Sequence, residues 1–309
     1  MSETSSAEQE RLAAFLADKP RLIRLAYRYL GSASDAEDMV QEAWLRFAKV
    51  DMVEDAPRLL ATIVTRLCLD RLKSARTQRE HYVGPWLPEP VLGMEGGAME
   101  MKMGDGAALD ISYAVMRVLE RLSPAERAAY FLHDLWELSF EEIAETLNRT
   151  PEACRKLASR ARASLAQEKQ RFKPSHGDLD RFLVIFRQAT ASGDVSALKA
   201  MFAGDAEFIS DGGGKARAAL NIIHGADNVA RFLVGVAQKV GAGRETRFEH
   251  ATVNGSPGLV MRLDGDIDQS IVFDLDADGR FRTVYAVRNP DKLAHFRQAY
   301  ETAGGSLLS

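Results

Sequence analysis

Five polar side chains recur along the segment 151–165 at a spacing that suits DNA recognition. If the segment is helical, these side chains share its outer arc, opposite an apolar stripe that contains Cys154 and Leu165. Arginine can make two hydrogen bonds to a guanine edge or pair with a phosphate, and a helix fits the major groove. The five polar side chains are those of Arg155, Lys156, Ser159, Arg160 and Arg162. Taken alone, these residues also fit an ordinary solvated helix face.

The flanking residues favour the DNA-binding interpretation. Ser139 and Glu142 have the spacing of a capping box, which predicts a helix that starts there. Thr150 can cap the next helix, and Pro151 occupies its first position, where a missing N–H costs nothing. Two amphipathic helices joined by a tight turn form a helix-turn-helix, whose second helix is predicted to run from Pro151 to about Leu165.

A second helix is predicted near the N-terminus. Ser34 and Glu37 form another capping-box pattern, and acidic residues fill the first turn, where the helix dipole favours negative charge. One side of this helix is predicted to be apolar and the other polar, and the polar side by itself would be an ordinary solvated face. The apolar stripe consists of Ala36, Met39, Val40, Ala43, Trp44 and Phe47, and the exposed row contains Asp38, Gln41 and Glu42.

The sequence 35–46 closely resembles the helix by which extracytoplasmic-function (ECF) sigma factors hold the clamp of RNA polymerase. Segment 57–76 resembles the promoter-melting segment of the same family, and segment 122–162 resembles the domain that reads the upstream promoter element. The resemblance implies that the Asp38, Gln41 and Glu42 face binds core RNA polymerase. It also implies promoter DNA as a partner, with downstream contacts from Arg66, Arg71, Lys73 and Arg76.

Two positions depart from the commoner family pattern. Leu59 stands where tryptophan is usual, and Arg66 stands where asparagine is usual. Capture of a flipped base needs a group that stacks on the base and hydrogen-bonds to it, which the guanidinium of Arg66 could provide. Which residue captures the flipped promoter base is left open.

Three further motifs, at 86–90, 211–215 and 289–293, are similar to those of the SigJ-like subgroup, in which a SnoaL-like domain follows the sigma domains. This domain is an α+β cone shared with ketosteroid isomerases. The resemblance implies that linker and third domain jointly control polymerase engagement, in place of an anti-sigma protein. The implied regulatory interface comprises Trp86, Leu87, Pro88, Asp211, Gly212, Gly213, Gly214, Lys215, Asn289, Pro290, Asp291 and Lys292.

Each of these motifs also has a simpler interpretation. The glycine-rich segment 211–215 is not a phosphate loop, because Lys215 is followed by Ala216 and the required spacing is absent. It could be a tight turn in which glycines supply positive φ. Segment 289–292 could start a helix capped by Asp291, and Trp86 between prolines could be an exposed linker residue.

The chain is therefore predicted to be multidomain, with two all-α sigma domains followed by an α+β SnoaL-like cone. A region 2 helical bundle is expected at 7–77 and a region 4 helix-turn-helix at 109–173, joined by a linker at 78–108 that packs poorly. The SnoaL-like domain is expected at 176–309. Its predicted helices are 178–192, 195–202 and 227–240, and its predicted strands are 206–210, 246–253, 258–263, 269–275 and 281–287.

Composition gives weaker information. A net charge of −4 over 309 residues carries no global sign of a nucleic-acid partner. The two cysteines, Cys68 and Cys154, fall within helical patterns, which favours a reducing cytoplasmic compartment. No apolar run is long enough to cross a bilayer, so a soluble protein without a membrane partner is expected.

Two rival functions remain at this point. One is a plain helix-turn-helix repressor or activator, which would leave the 35–46 helix unexplained. The other is a helix-turn-helix regulator fused to an active isomerase- or cyclase-type enzyme, for which Asp211 and Asp266 are the nominated carboxylates. We predict no catalytic residue, metal or cofactor, with His224, His250 and His295 as ordinary surface or core residues, and leave open an unidentified ligand of the third domain.

Overall fold

The computed structural model describes residues 2–50, 53–80, 82–93, 111–168 and 171–304, without the side chains of 2–7, 75–80 and 167–168. Contacts divide these residues into two compact units. The first contains the described residues up to 80, residue 111 and those of 115–168, and the second contains 82–93, 112–114 and 171–304.

Among the described residues, the N-terminal part of the chain is helical and the named strands lie in its C-terminal part. The helices are α1 (Ser2–Leu30), α2 (Ala33–Phe47), α3 (Ala56–Glu80), α4 (Tyr113–Arg121), α5 (Pro124–Asp134), α6 (Phe140–Leu147), α7 (Pro151–Glu168), α8 (His176–Ser192), α9 (Ser196–Ala200), α10 (Ala226–Gly241) and α11 (Pro290–Thr302). The strands are β1 (Phe202–Asp211), β2 (Ile223–His224), β3 (Thr246–Val253), β4 (Ser256–Leu263), β5 (Asp266–Leu275) and β6 (Phe281–Val287).

Helices α1, α2 and α3 pack on one another around apolar side chains that include Leu25, Val40 and Val64, all without solvent exposure. The predicted cap of α2 at Ser34 is wrong. Ser32 is the N-cap, and its hydroxyl accepts a hydrogen bond from the backbone N–H of Asp35. The chain reverses within a very short turn, since Gly31 has a φ of 68°, so the helix begins two residues earlier than the pattern indicated.

Helices α6 and α7 form the predicted helix-turn-helix. The Ser139 hydroxyl accepts from the Glu142 backbone N–H at 3.2 Å, and the Glu142 carboxylate accepts from the Ser139 N–H at 2.7 Å, so this capping box is confirmed. Asn148 ends α6 in the left-handed conformation, with a φ of 52°. Thr150 caps α7, which continues past the predicted end near Leu165 to Glu168.

The two helical domains pack against each other within the first unit. The buried guanidinium of Arg127 donates to the Tyr29 carbonyl at 2.7 Å, and the Tyr29 ring meets Phe131 edge-on at 4.8 Å between centroids. The guanidinium of Arg21 lies 3.7 Å from the centroid of the Trp136 ring. These contacts join helices far apart in sequence, so helical periodicity gave no indication of them.

The C-terminal domain is built on a six-stranded sheet with strand order β2-β1-β6-β5-β4-β3. Strands β1 and β6 are parallel, and the other neighbouring pairs are antiparallel. Helices α8 and α10 cover one face around Phe182 and Phe273, whereas α11 and segment 82–93 cover the other around Phe296 and Leu87. The α+β prediction is confirmed. The two-residue strand β2 was not predicted, and Phe202 starts β1 instead of ending a helix.

Segment 82–93 is packed against the sheet, so the prediction of a poorly packing linker is wrong there. Leu92 forms an antiparallel bridge with Val253, and the Gly93 N–H donates to the Thr252 carbonyl at 2.8 Å. The Asn254 side chain accepts from the Val91 N–H at 2.8 Å. Prolines keep this segment extended, which suits it to run along a sheet edge. Residues 94–108 of the predicted linker lie outside the described residues.

Both cysteines are buried, and burial raises the pKa of each thiol. Cys68 lies in α3 and Cys154 in α7, where each packs as a small apolar side chain. Among the described residues, no helix is both long enough and apolar enough to cross a membrane.

Candidate functional site

Two parallel strands bring the sequence motifs of the third domain together. Asp211 is the last residue of β1, and its register partner in β6 is Val287. The backbone N–H groups of Arg288 and Asn289 both donate to the Asp211 carbonyl, at 2.7 and 2.9 Å. The glycine-rich motif and the 289–292 motif are therefore fixed next to each other at one end of the sheet.

The Asp211 carboxylate binds the linker. One oxygen accepts from the Tyr82 hydroxyl at 2.6 Å, and the other accepts from the Leu87 N–H at 2.8 Å and from the Lys292 ammonium at 2.7 Å. Asp211 has no solvent exposure, and Leu87 and Lys292 are also buried. We call Tyr82, Trp86, Leu87, Asp211, Asn289 and Lys292 the linker clasp.

Lys292 completes the clasp from α11. Its ammonium also donates to the Leu87 carbonyl, and it lies 4.0 Å from the Trp86 ring centroid and 4.9 Å from that of Tyr82. A buried cation above two aromatic faces gains electrostatic stabilisation that water would otherwise supply. The N–H and the C=O of Leu87 are thus held by one buried ion pair.

Tyr82 links the linker to both motifs. Its hydroxyl donates to Asp211 and accepts from the Asn289 side-chain amide at 2.8 Å. Burial, reinforced by the neighbouring Asp211 carboxylate, raises the pKa of Tyr82, so the phenol stays protonated and able to donate. Sequence reasoning missed Tyr82, because a single tyrosine at the edge of a proline-rich segment carries no spacing signal.

The glycines of segment 211–215 permit close backbone approach. Gly213 has a φ of 57°, and a Cβ there would lie 2.1 Å from the Asn289 side-chain nitrogen and 2.8 Å from the Tyr82 hydroxyl. A Cβ on Gly212 would lie 2.3 Å from the Ala216 carbonyl oxygen. Gly214 also has positive φ, at 72°. The turn interpretation and the interface interpretation are therefore compatible, since the tight turn admits Tyr82.

The remaining motif residues surround the clasp. Asn289 caps α11 by accepting from the Asp291 N–H, so the cap lies two residues before the predicted cap at Asp291. Pro290 is the first residue of α11, and Asp291 forms an exposed ion pair with Lys215. In the linker, Pro88 is buried.

The outer arc of α7 is basic and accessible. Arg155, Lys156, Ser159 and Arg160 are all exposed. The Arg155 guanidinium lies 5.1 Å from the Phe140 ring centroid, which anchors it beside α6. Arg162 is placed differently, because its guanidinium makes two hydrogen bonds to Asp134, at 2.7 and 2.9 Å.

The residues predicted to act in the first helical domain lie on two helices. On α2, Asp38 and Gln41 are exposed, whereas Glu42 pairs with Arg46 at 3.0 Å. On α3, Arg66 is exposed and Leu59 is half-buried. Two other cations of α3 form ion pairs, Arg71 with Asp35 of α2 at 2.7 Å and Lys73 with Asp70 at 2.8 Å. The Arg76 side chain lies outside the described residues.

Loss of the Ser139 hydroxyl should weaken the first helix of the helix-turn-helix. We expect Ser139→Ala to destabilise α6 by about 1 kcal/mol, which corresponds to about fivefold faster amide hydrogen exchange in that helix. Hydrogen exchange followed by mass spectrometry on the full chain measures this. Unchanged exchange in α6 would contradict the assigned cap.

Glu142 makes the same cap dependent on pH. Its pKa lies below the usual value, chiefly because its carboxylate accepts from the Ser139 backbone. Its contribution is therefore present above the unfolded pKa and lost as pH falls through the folded pKa. Glu142→Gln should speed α6 exchange at pH 7 but match wild type once the pH is low enough to protonate Glu142 in the folded chain. Glu141→Gln, which loses only the interaction of an exposed first-turn carboxylate with the helix dipole, should have a smaller effect at pH 7.

The C-terminal domain contains a cavity of about 660 Å³ between the sheet and helices α8 and α10. Neither nominated carboxylate lines it, because Asp211 belongs to the clasp and Asp266 is exposed at the start of β5. Among the described residues, none that lines this cavity is acidic, histidine or tyrosine.

The histidines and acidic residues of the described ranges form no cluster that could hold a metal ion. His224 lies near Glu207, at 3.4 Å, and His250 contacts Asp180, at 2.8 Å. His295 is exposed on α11. These histidines occupy surface positions or pair with single carboxylates.

The three-helix bundle and the helix-turn-helix match known protein families. Residues 15–78 match the family Sigma-70 region 2, and residues 112–165 match the family Sigma-70, region 4. This combination of domains defines a sigma factor.

More specific relatives cover nearly the whole chain. It is 38% identical to the ECF RNA polymerase sigma factor SigJ of Mycobacterium tuberculosis over 290 residues, which are 90% of this chain and 91% of that protein. It is 35% identical over 210 residues to the probable ECF RNA polymerase sigma factor SigI of the same species, covering 60% of this chain and 70% of SigI. The crystal structure of SigJ matches with a TM-score of 0.67 at 32% identity, over 96% of this chain and 100% of SigJ. The chain belongs to the ECF RNA polymerase sigma factors.

Proposed function

We propose that this sigma factor binds core RNA polymerase and promoter DNA through its helical domains, while its C-terminal domain controls that engagement in cis. The observation that carries the regulatory part is the buried Asp211–Lys292 pair, which holds the backbone of Leu87. A linker held by its backbone in this way is a fixed part of the C-terminal domain.

The polymerase contact is assigned to the outer face of α2. Asp38 and Gln41 are exposed there, and Glu42 is partly exposed beside Arg46. Leu45, on the same helix, is 55% exposed, which is unusual for a large apolar side chain in a packed domain. A polar row beside an exposed leucine has the composition of a protein-binding surface.

The upstream DNA contact is assigned to α7. Arg155, Lys156, Ser159 and Arg160 present donors to solvent, so they can reach base edges or phosphates without breaking a buried contact. Arg162 would have to leave its bidentate bond to Asp134, which suggests a weaker or phosphate-directed contribution.

The downstream contact is assigned to α3. Arg66 is exposed, so it can contact DNA without breaking a buried contact. Arg71 and Lys73 already have acidic partners, but both pairs are exposed to water and therefore weak, so DNA phosphates can compete for these cations. Arg76 is included on the family resemblance alone.

The clasp supports regulation in cis because it acts on the segment that joins the two helical domains in sequence. While Leu87 is held, the linker cannot follow the polymerase surface between the sites of the two helical domains. Opening requires separation of a buried ion pair from its hydrogen-bond partners, which is a discrete, energetically distinct event. This is the role that an anti-sigma protein would otherwise perform.

The cavity of the C-terminal domain supports binding over catalysis. Enzymes that use such an apolar cavity for proton transfer place a carboxylate inside it. Among the described residues, no carboxylate lines this cavity, and we therefore propose that the protein is a transcription factor without enzymatic activity. As a sigma factor that acts on polymerase and DNA, it is proposed to be located in the cytoplasm.

Run-off transcription with purified core polymerase tests the proposal. We expect promoter-dependent transcripts only when the chain is added, whereas a plain repressor would give none. Leu87→Ala, which removes a buried linker side chain from the clasp, should raise the yield severalfold. Val83→Ala, at a half-exposed position of the same segment, is the matched control and should leave it unchanged.

A chain that ends at residue 173 should behave like Leu87→Ala, because it lacks Asp211 and Lys292 altogether. Equal transcription from wild type, Leu87→Ala and this shortened chain would contradict control by the C-terminal domain. It would leave the polymerase and promoter assignments standing.

A further inference from the structure

The cavity of the C-terminal domain has the size and lining of a small-molecule site. Its volume of about 660 Å³ lies within the range of ligand pockets. The wall is mainly apolar, with Phe186 from α8, Phe232 from α10 and Phe208 and Ile271 from the sheet. A molecule with an apolar ring or chain would be shielded from water by these side chains.

The ionisable side chains that line this cavity all carry the same sign. Arg288 and Arg244 have acidic partners, Asp268 and Asp264. The other cations are exposed and make no ion pair with any residue that the structure describes. They are Arg187, Arg217 and Lys239. With no acidic side chain in the described lining, the cavity and its rim present a net positive field.

Two uncharged polar side chains also line the cavity. The Ser210 side chain, 2% exposed, accepts from the Ala219 N–H, which leaves its own hydroxyl hydrogen to donate. The Gln269 amide is directed at the Met261 sulfur, at 3.1 Å, a weak acceptor that a ligand oxygen would readily replace. A few polar groups on an apolar wall orient a ligand without binding water strongly.

We infer that this cavity binds an anionic amphiphile, a molecule with an apolar ring or chain body and one carboxylate or sulfonate group. The body occupies the space between the phenylalanines, and the anionic group meets the arginines and the lysine at the rim. Because no described residue of the lining is an aspartate or glutamate that could act as a base or acid, the ligand is held without being converted.

We infer that binding of this ligand is coupled to the clasp, because the cavity and the clasp share two backbone segments. This coupling rests on the proposed function. On β1, Ser210 faces the cavity and the next residue, Asp211, faces the linker. Directly after β6, Arg288 faces the cavity and Asn289 faces Tyr82. Because successive residues of an extended chain point to opposite faces, a ligand that moves Arg288 or Ser210 displaces the backbone that positions the clasp.

A matched pair of fluorescent probes tests the binding step on the full chain. 1-Anilinonaphthalene-8-sulfonate has an apolar ring body with a sulfonate, and N-phenyl-1-naphthylamine has the same rings without it. We expect saturable binding of the sulfonate probe, at least tenfold tighter than that of the neutral probe. Arg217→Gln combined with Lys239→Gln should weaken the sulfonate probe about tenfold and leave the neutral probe unchanged.

Two further variants locate the binding. Ala237→Phe places a ring in the cavity from α10 and should weaken both probes. Arg282→Gln removes a β6 arginine that pairs with Asp205 outside the cavity, and should change neither. Equal affinity for the two probes, sulfonate binding unaffected by the double substitution, or unaltered binding in Ala237→Phe would each overturn the assignment.

Coupling is tested by the same titration on Leu87→Ala. Linkage requires that a ligand whose binding alters the clasp also responds to the state of the clasp. We expect the affinity for the sulfonate probe to differ at least threefold between Leu87→Ala and wild type. Equal affinities would overturn the coupling step, and the outcome is independent of the transcription assay that tests the proposed function.

Discussion

Replacement of Asp211 by asparagine should destabilise the C-terminal domain by about 3–5 kcal/mol, the usual cost of removing one partner from a buried ion pair. The substitution removes the negative charge that pairs with the buried Lys292 ammonium, which also contacts the Leu87 carbonyl and two aromatic faces. Asparagine also presents a single acceptor oxygen to Tyr82 and the Leu87 N–H, which both donate to the carboxylate in wild type.

Amide hydrogen exchange in β1 and β6 of the full chain measures this loss, because it reports on the C-terminal domain separately from the helices. A loss of 3 kcal/mol corresponds to exchange faster by more than about 100-fold. Chymotrypsin should also cut the variant sooner in the segment that contains Tyr82, Trp86 and Leu87.

Asp291→Asn is the matched control, since it neutralises a neighbouring carboxylate that also pairs with a lysine. The side chains of Asp291 and Lys215 are 63% and 57% exposed, so water screens their attraction and less than about 1 kcal/mol is expected. Equal effects of Asp211→Asn and Asp291→Asn would show that the clasp is no stronger than a surface ion pair.

Loss of two exposed arginines of α7 should nearly abolish promoter recognition. Each base-edge contact contributes about 1–3 kcal/mol of discrimination, so Arg155→Gln combined with Arg160→Gln should weaken promoter binding by about 100-fold or more. Neither guanidinium is buried, so the fold should persist. The measurement is binding of the holoenzyme to the promoter that the wild-type holoenzyme selects from a randomised library.

The salt dependence of the same binding separates two modes of contact. Loss of a phosphate contact weakens all sequences alike and lowers the slope of log affinity against log salt by about one per contact, whereas loss of a base contact relaxes specificity at one position. Arg247→Gln removes an exposed arginine of β3 and should change neither quantity. Unaltered binding in the double variant would exclude α7 as the reader of the promoter.

Local patterns predicted the helices and most strands, but they placed some starts incorrectly. Ser34 and Asp291 both looked like caps, and in both helices the residue two positions earlier, Ser32 and Asn289, makes the capping hydrogen bond. Each candidate has good cap chemistry. The choice between them depends on how tightly the preceding chain turns, which a window of a few residues does not contain.

For the clasp, the sequence indicated the motifs that contribute residues but not the contacts between them. The residues around Asp211 and Asn289 were identified by resemblance, but their partner Tyr82 was not, because the contact between Tyr82 and Asn289 spans 207 positions of sequence. The packing of Arg127 against Tyr29 was invisible for the same reason. Periodicity reports which face of an element is buried and carries no information on which distant element covers it.

The two buried cysteines have a consequence for the kind of stimulus this protein can receive. Thiol oxidants such as peroxides react with the thiolate, and access and a low pKa are what make a cysteine sensitive to them. Cys68 and Cys154 are fully buried with raised pKa values, so both should remain reduced while the protein is folded. We therefore expect no thiol switch at either cysteine while the protein is folded.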